Sequence, residues 1–216
     1  MIKKLFFTLL CCPLIIIAQD GNLKKLETSL KEKKITVESI LTNPSYEYLH
    51  PDNNFRELIR NFAASGKLEY TTALEAGKKI TIEVTVVNKS GHPVPNILVY
   101  FYQTDDRGWY AADAPHVTGM EGDRKHARLF GYIKTDKDGR FILNTIQPRG
   151  YPQSTLPAHI HIEIVDQHYQ PVISEFLFAD DPRMTAETKA SATRDHFQIA
   201  EEKNGKYEYR LVLERL

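Results

Sequence analysis

Residues 157–164 read Pro-Ala-His-Ile-His-Ile-Glu-Ile, and no other run in the chain limits its structure so tightly. On a β-strand, side chains at i and i+2 share a face, so His159 and His161 present two imidazoles side by side. That is half of a metal site. Gly150-Tyr151-Pro152 lies just upstream. A tyrosine near such a pair matters because a phenolate is a hard anionic oxygen ligand. It suits a trivalent ion such as ferric iron better than it suits zinc or copper(I).

The strand pattern recurs along the chain. Ile80 to Val87 alternates and is rich in β-branched residues, and Ile97 to Tyr102 follows after the turn Asn88-Lys89-Ser90-Gly91. Phe130 to Thr135, the turn Asp136-Lys137-Asp138-Gly139, and Arg140 to Asn144 read as a hairpin. Ala158 to Val165, Val172 to Phe178 and Tyr207 to Leu213 complete the set, with a short helix expected over 196–203. Short strands separated by turns, without alternating helices, predict an all-β fold, an antiparallel β-sandwich. A short helical lead-in precedes it, with a helix over 55–64 capped by Asn53 or Asn54 and an amphipathic stretch over 23–30.

The first residues read as a signal peptide. Lys3 and Lys4 form a positive start, Leu5 to Ile17 an apolar run, and Ala18 followed by Gln19-Asp20 a cleavage point. The run falls short of the ~20 residues a bilayer span needs. The expectation is therefore an exported protein, periplasmic or secreted, with no integral membrane span once the signal is removed. Three segments follow: residues 1–18 as signal peptide, 19–72 as lead-in and 73–216 as the β-sandwich catalytic domain. Cys11 and Cys12 leave with the signal, although Leu10 before them and the apolar run beyond them do not favour lipid attachment. The remainder has no disulfide and no thiolate, so a metal must be held by His, Tyr, Asp or Glu. It carries 26 basic against 28 acidic residues with no basic stripe, which argues against a nucleic-acid partner.

A long polar loop from about Gln103 to Ala127 carries Tyr110, His116 and Asp113. Loops of this length inside a compact domain are usually functional or disordered, and the aromatic Gly108-Trp109-Tyr110 argues against plain disorder. His50, His92, His116 and His126 read as solvated, and Trp109 as a packing residue. His-x-His also serves zinc hydrolases and cupins, which need a third histidine or a carboxylate. His168 and His196 are available but sit in no such motif.

Taken in order, the chain shows Gly91-His92-Pro93-Val94-Pro95-Asn96, Asp106-Arg107-Gly108-Trp109-Tyr110, Thr135-Asp136-Lys137-Asp138-Gly139-Arg140-Phe141, Thr145 to Pro152, Pro157 to His161 and Phe178-Ala179-Asp180-Asp181-Pro182. This series resembles the intradiol ring-cleavage dioxygenases, the family of protocatechuate 3,4-dioxygenase and catechol 1,2-dioxygenase, over roughly residues 72–185. The resemblance implies one non-haem Fe(III) held by Tyr110, Tyr151, His159 and His161. It further implies that a small-molecule catechol chelates the iron, displaces Tyr151 and passes it a proton. O2 then cleaves the ring between the two oxygenated carbons to give a muconate-type diacid. Helical lead-ins form dimer contacts in some relatives, so a homo-oligomer is compatible with residues 19–72.

The chain departs from the family pattern around the centre. Leu156 stands where an arginine is usual, Gln153 where an aromatic often stands, and Glu175 where a glutamine often stands. Arg149 or Arg128 is expected to supply the missing cation, with Arg149 placed beside Tyr151 as a catalytic candidate. Two other readings stay open. In one, Gly91 to Gly139 resembles non-enzymatic transthyretin-like or carboxypeptidase-regulatory-like binding modules, which need neither His-x-His nor paired tyrosines. The other is a degenerate relative that binds iron or a catecholate without turnover.

Overall fold

The computed structural model describes residues 12–111 and 127–216. It falls into two compact units, 1–36 and 37–216. In the first, helix α1 spans Cys12–Lys31. No helix among the described residues is long and apolar enough to cross a membrane.

The second unit begins with α2 (Val37–Leu41), a 3-10 turn at Pro44–Leu49 and α3 (Asn53–Asn61). Asp52 caps α3, its carboxylate accepting from the Asn54 and Phe55 amides at 2.7 and 3.1 Å. This satisfies the orphan donors of the first turn, a role the sequence reading gave to the asparagines beyond it. Two short strands follow, β1 (Ala64–Ser65) and β2 (Lys67–Glu69). Next come β3 (Lys79–Asn88), β4 (Leu98–Gln103), β5 (Leu129–Lys134) and β6 (Arg140–Ile146). The chain ends with β7 (His159–Ile164), β8 (Val172–Phe178), α4 (Ala186–Arg194), β9 (Gln198–Ala200) and β10 (Lys206–Leu213).

The strands form two mixed sheets, ordered β1-β5-β4-β7-β8-β9 and β10-β3-β6-β2. They meet through the stacked rings of Phe176 and Tyr209 and the edge-on pair Phe178 and Tyr207. The alternation read from sequence sets the inner faces. Ile80, Ile82, Val84 and Val86 are buried on β3, and Ile160, Ile162 and Ile164 on β7.

Three expectations need correction. The sheets are not wholly antiparallel: the pairs β4–β5, β4–β7, β7–β8 and β3–β6 are, whereas β1, β2, β9 and β10 each pair parallel with a neighbour. These four reach their positions through long connections, which free them from the hairpin rule. Residues 130–144 do not form a hairpin. The turn held by the Asp136 carboxylate carries the chain from β5 in one sheet to β6 in the other. The helix expected at 196–203 lies earlier, at α4, and Gln198–Ala200 instead pairs with β8. Thr185 caps α4 through the Thr188 amide. That helix buries only Ala192, so it has no apolar stripe to reveal it.

Strand β4 is buried on both faces, because Arg56 of α3 covers Tyr100 on the outer one and the Tyr110 and His161 rings cover Tyr102. Arg56 of α3 is buried, donates from Nη2 to Tyr100 Oη at 2.7 Å and lies 3.7 Å over the Phe130 ring. That leaves the outer face of β7, beside β4, for the histidines.

Candidate metal centre

His159 and His161 stand on the outer face of β7, as period-two alternation requires. Tyr110 reaches them from the loop after β4, and Tyr151 from the segment between β6 and β7. Tyr110 Oη and Tyr151 Oη are 2.6 Å apart. His161 Nε2 lies 2.9 Å from Tyr110 Oη and 3.5 Å from Tyr151 Oη. His159 Nε2 lies 2.9 Å from Tyr151 Oη and 3.2 Å from His161 Nε2. Donors placed about 2 Å from one ion stand roughly 3 Å from each other, so this spacing is that of a ligand shell.

The imidazoles are set to offer Nε2. His159 Nδ1 donates to the Pro157 carbonyl at 2.8 Å, which leaves the Nε2 lone pair facing the phenols. His161 stacks on the Tyr102 ring at 4.4 Å. Burial, with a smaller effect from His159, pushes His161 down to about 3, so its ring is neutral and available as a ligand near neutral pH. Glu175 pairs with His161 in the β7–β8 register, and its Oε1 is 3.7 Å from Nδ1. Because the ring is neutral, this is a carboxylate beside an imidazole and not an ion pair. Burial raises the Glu175 carboxyl above its usual range. Glu175, His159 and His161 are near enough to share an ion. The carboxylate nevertheless lies on the Nδ1 side of His161, behind the ring that aims Nε2 at the phenols.

The loop that carries Tyr110 is organised by Asp105, a carboxylate only 2% exposed. Its Oδ1 accepts from the Arg107 and Trp109 amides at 2.9 and 3.0 Å, and Oδ2 from Arg107 Nε and Nη2 at 2.9 and 2.6 Å. The Arg107 guanidinium stacks over Trp109, which is thereby a packing residue. Gly108 takes φ +82, and a Cβ there would lie 2.6 Å from the Gly150 carbonyl. The two tyrosine segments therefore touch, and only glycine fits at the contact. The Arg149 amide donates to the Asp105 carbonyl at 3.1 Å, and Thr104 Oγ1 to the Arg149 carbonyl at 2.7 Å.

The two expected cations sit differently. Arg149 fixes the contact through its main chain, and its side chain is exposed. Arg128 donates to both oxygens of Glu75 at 2.6 Å, with Glu47 and Asp105 nearby at 3.4 and 3.6 Å. Its amide donates to the Tyr110 carbonyl at 2.7 Å, so Arg128 braces that tyrosine. His50 is buried and not solvated, which corrects the sequence reading. Its Nδ1 donates to the Arg128 carbonyl at 2.6 Å, between the Phe55 and Phe130 rings. His92 is exposed, whereas Asp113, His116 and His126 lie outside the described residues. Sequence reading missed Asp105, although an Asp three residues before a glycine is an Asx-turn signal. It also missed Arg183, discussed below.

A family model described as "Dioxygenase" matches residues 55–214. This chain belongs to the intradiol ring-cleaving dioxygenase family. It is 27% identical over 157 residues to catechol 1,2-dioxygenase 1 of Acinetobacter lwoffii, covering 64% of this chain and 48% of that protein. It is 28% identical over 117 residues to the protocatechuate 3,4-dioxygenase beta chain of Burkholderia cepacia, covering 49% and 47%. The chain thus spans about half the length of these curated relatives. Among solved structures, catechol 1,2-dioxygenase of Acinetobacter sp. ADP1 shares the fold with a TM-score of 0.56 at 22% identity, over 71% of this chain and 58% of that one. The 3-chlorocatechol 1,2-dioxygenase of Rhodococcus opacus 1CP superposes with a TM-score of 0.55 at 17% identity, over 94% and 96%.

Proposed function

We propose that this dioxygenase-family protein uses non-haem Fe(III), held by Tyr110, Tyr151, His159 and His161, to cleave a catechol-type ring with O2 to a muconate-type diacid. The observation that carries the reading is the convergence of two phenol oxygens and two imidazole nitrogens at 2.6–3.5 Å. The donor chemistry fits the ion: two phenolates offset most of a 3+ charge, and neutral imidazoles complete the shell. When bound, the ion supplies a Lewis-acid centre that draws in both catechol oxygens and activates the ring towards O2.

The protein's own groups have distinct tasks. Tyr110, fully buried on its braced loop, stays in place. Tyr151, half-buried on a segment that continues into solvent, is the phenol free to withdraw, and its Oη takes the proton from a catechol hydroxyl. His159 and His161 hold their rings fixed by the Pro157 carbonyl and the Tyr102 stack. The apolar run over 5–17 supports export by a signal peptide as part of the same proposal. N-terminal sequencing of the exported protein should begin at or near Gln19.

The test is a visible spectrum of the aerobically purified, ferric-loaded protein, with O2 uptake measured on adding catechol. A tyrosinate charge-transfer band that shifts with catechol, together with diacid formation, supports the proposal. Colour without O2 uptake makes the protein a binding relative. A protein that stays colourless after loading overturns the metal assignment.

A further inference from the structure

We propose that Arg183 is the positioning residue for Tyr151 and brings to its segment the cation that Leu156 does not provide. The proposal rests on the ferric reading above for its consequence, but not for its geometry. Arg183 lies in the turn after β8. Its Nη1 donates to the Tyr151 carbonyl at 3.0 Å and to the Leu156 carbonyl at 3.1 Å. One guanidinium nitrogen therefore ties the two ends of the 151–156 segment together.

Space for the guanidinium is made by Gly150. A Cβ there would lie 2.2 Å from Arg183 Nη1 and 2.6 Å from the Leu156 carbonyl oxygen, although the backbone at Gly150 is outside the left-handed region. The glycine is required by its neighbours and not by its conformation. The same turn grips the other end of the approach to β7. Asp181 Oδ1 accepts from the Arg183 amide at 2.7 Å, while its Oδ2 accepts from the Ala158 amide at 3.1 Å, one residue before His159. Asp181 thus fixes the start of the histidine strand, and Arg183 fixes the tyrosine segment relative to it.

The rest of that segment is loosely held. Pro152, Gln153, Thr155 and Leu156 are exposed, and Leu156 is 53% exposed. The bonds inside it are Ser154 N–H to the Tyr151 carbonyl at 3.3 Å and Leu156 N–H to Ser154 Oγ at 3.1 Å. A charged donor on two carbonyls is stronger than either. Arg183 therefore sets how firmly the Tyr151 phenol is presented to Tyr110 and His159. The usual arginine of the family would reach the pocket from position 156. Here the charge arrives from position 183 and acts through the backbone of the displaceable ligand.

The experiment compares the full-length wild type with Arg183→Met and Arg183→Lys. In the metal-free protein, hydrogen exchange at the Ser154 and Leu156 amides should quicken at least tenfold in Arg183→Met, with the β3 and β7 amides unchanged. Arg183→Lys, which keeps the charge, should stay within about threefold of wild type. After ferric loading, Arg183→Met should lose about half of the tyrosinate band, and kcat for catechol should fall more than KM changes. Wild-type exchange in Arg183→Met overturns the proposal, as does a wild-type band in that variant. A colourless wild type overturns the ferric reading alone, because the exchange result still decides whether Arg183 holds the segment.

Discussion

Tyr110 is 1% exposed and hangs from a bend built around the buried Asp105 carboxylate, with its own carbonyl held by the Arg128 amide. Tyr151 is half-buried, and its carbonyl and that of Leu156, at the two ends of the following segment, share one half-buried donor, Arg183. The two phenol oxygens nevertheless meet at 2.6 Å. The difference between their supports shows where precision is needed. On the proposed mechanism Tyr110 stays on the ion, and its loop is satisfied donor by donor. Tyr151 is the phenol proposed to leave, and its segment is tied by Arg183 at two points and is mostly open to water.

The largest effects should come from removing the oxygens themselves. Tyr110→Phe and Tyr151→Phe are each expected to lower turnover at least ~1,000-fold, since each loses a proposed ligand and Tyr151→Phe loses the proposed base as well. Ferric affinity should separate them: Tyr110→Phe should weaken binding by ~100-fold or more, and Tyr151→Phe by nearer ~10-fold. Equal losses, measured by chelator competition, would erase the contrast.

Next in size is Asp105→Ala, which leaves Arg107 and two amides without their acceptor. It should cost roughly 2–4 kcal/mol in urea unfolding of the metal-free protein, mainly from the two amides left without an acceptor, since Arg107 can turn to water. Pro152→Ala on the open segment should cost ~0.5 kcal/mol or less.

The pH response sharpens the same contrast, because His50 stands behind Arg128 on the Tyr110 side. Burial, opposed by its hydrogen bond to the Arg128 carbonyl, pushes His50 down to about 4. Between that value and the ordinary 6.5 the unfolded chain binds the proton and the folded protein does not. Stability from this group is therefore complete above pH 6.5 and lost as pH falls towards 4. The loss attributable to His50 should be about 2 kcal/mol between pH 7.5 and 5. His161, also held low by burial, adds to it in the metal-free protein. Unfolding of His50→Gln at both pH values isolates the His50 share, and an unchanged slope would remove it. Gly108→Ala forces φ +82 on alanine and drives its Cβ against the Gly150 carbonyl at the contact of the two segments. At least about 1–2 kcal/mol is expected there, above the Pro152→Ala effect.

Much of this was legible in the sequence for a physical reason. Period-two burial writes itself directly into residues 80–87 and 159–164, so β3 and β7 and the paired histidines could be read one residue at a time. The four candidate ligands came from the family resemblance that the ordered motifs carry, and their side chains converge. What stayed hidden depends on long-range pairing. Residues 198–200 form a strand only because β8 offers an edge, and the 130–144 stretch reads as a hairpin until two sheets are available to divide it. His50 seemed solvated because nothing local shows that Arg128 and two phenylalanines close over it. Asp105 and Arg183 were equally obscure, since each works on backbone carbonyls or amides that carry no residue signature.

The order of the strands has a consequence for how the molecule is made. The sheet that carries the centre draws its middle strands, β4, β5, β7 and β8, from residues 98–178, a stretch that gives only β6 to the other sheet. The other sheet pairs β3 with β10, among the last residues of the sequence, in a parallel ladder from Lys206 with Thr81 to Leu213 with Asn88. Contacts of such sequence separation form late and slowly. All four candidate ligands lie before residue 162, whereas the strand that closes the second sheet spans Lys206–Leu213. The segment that carries the centre is thus complete in the sequence well before the residues that finish the core.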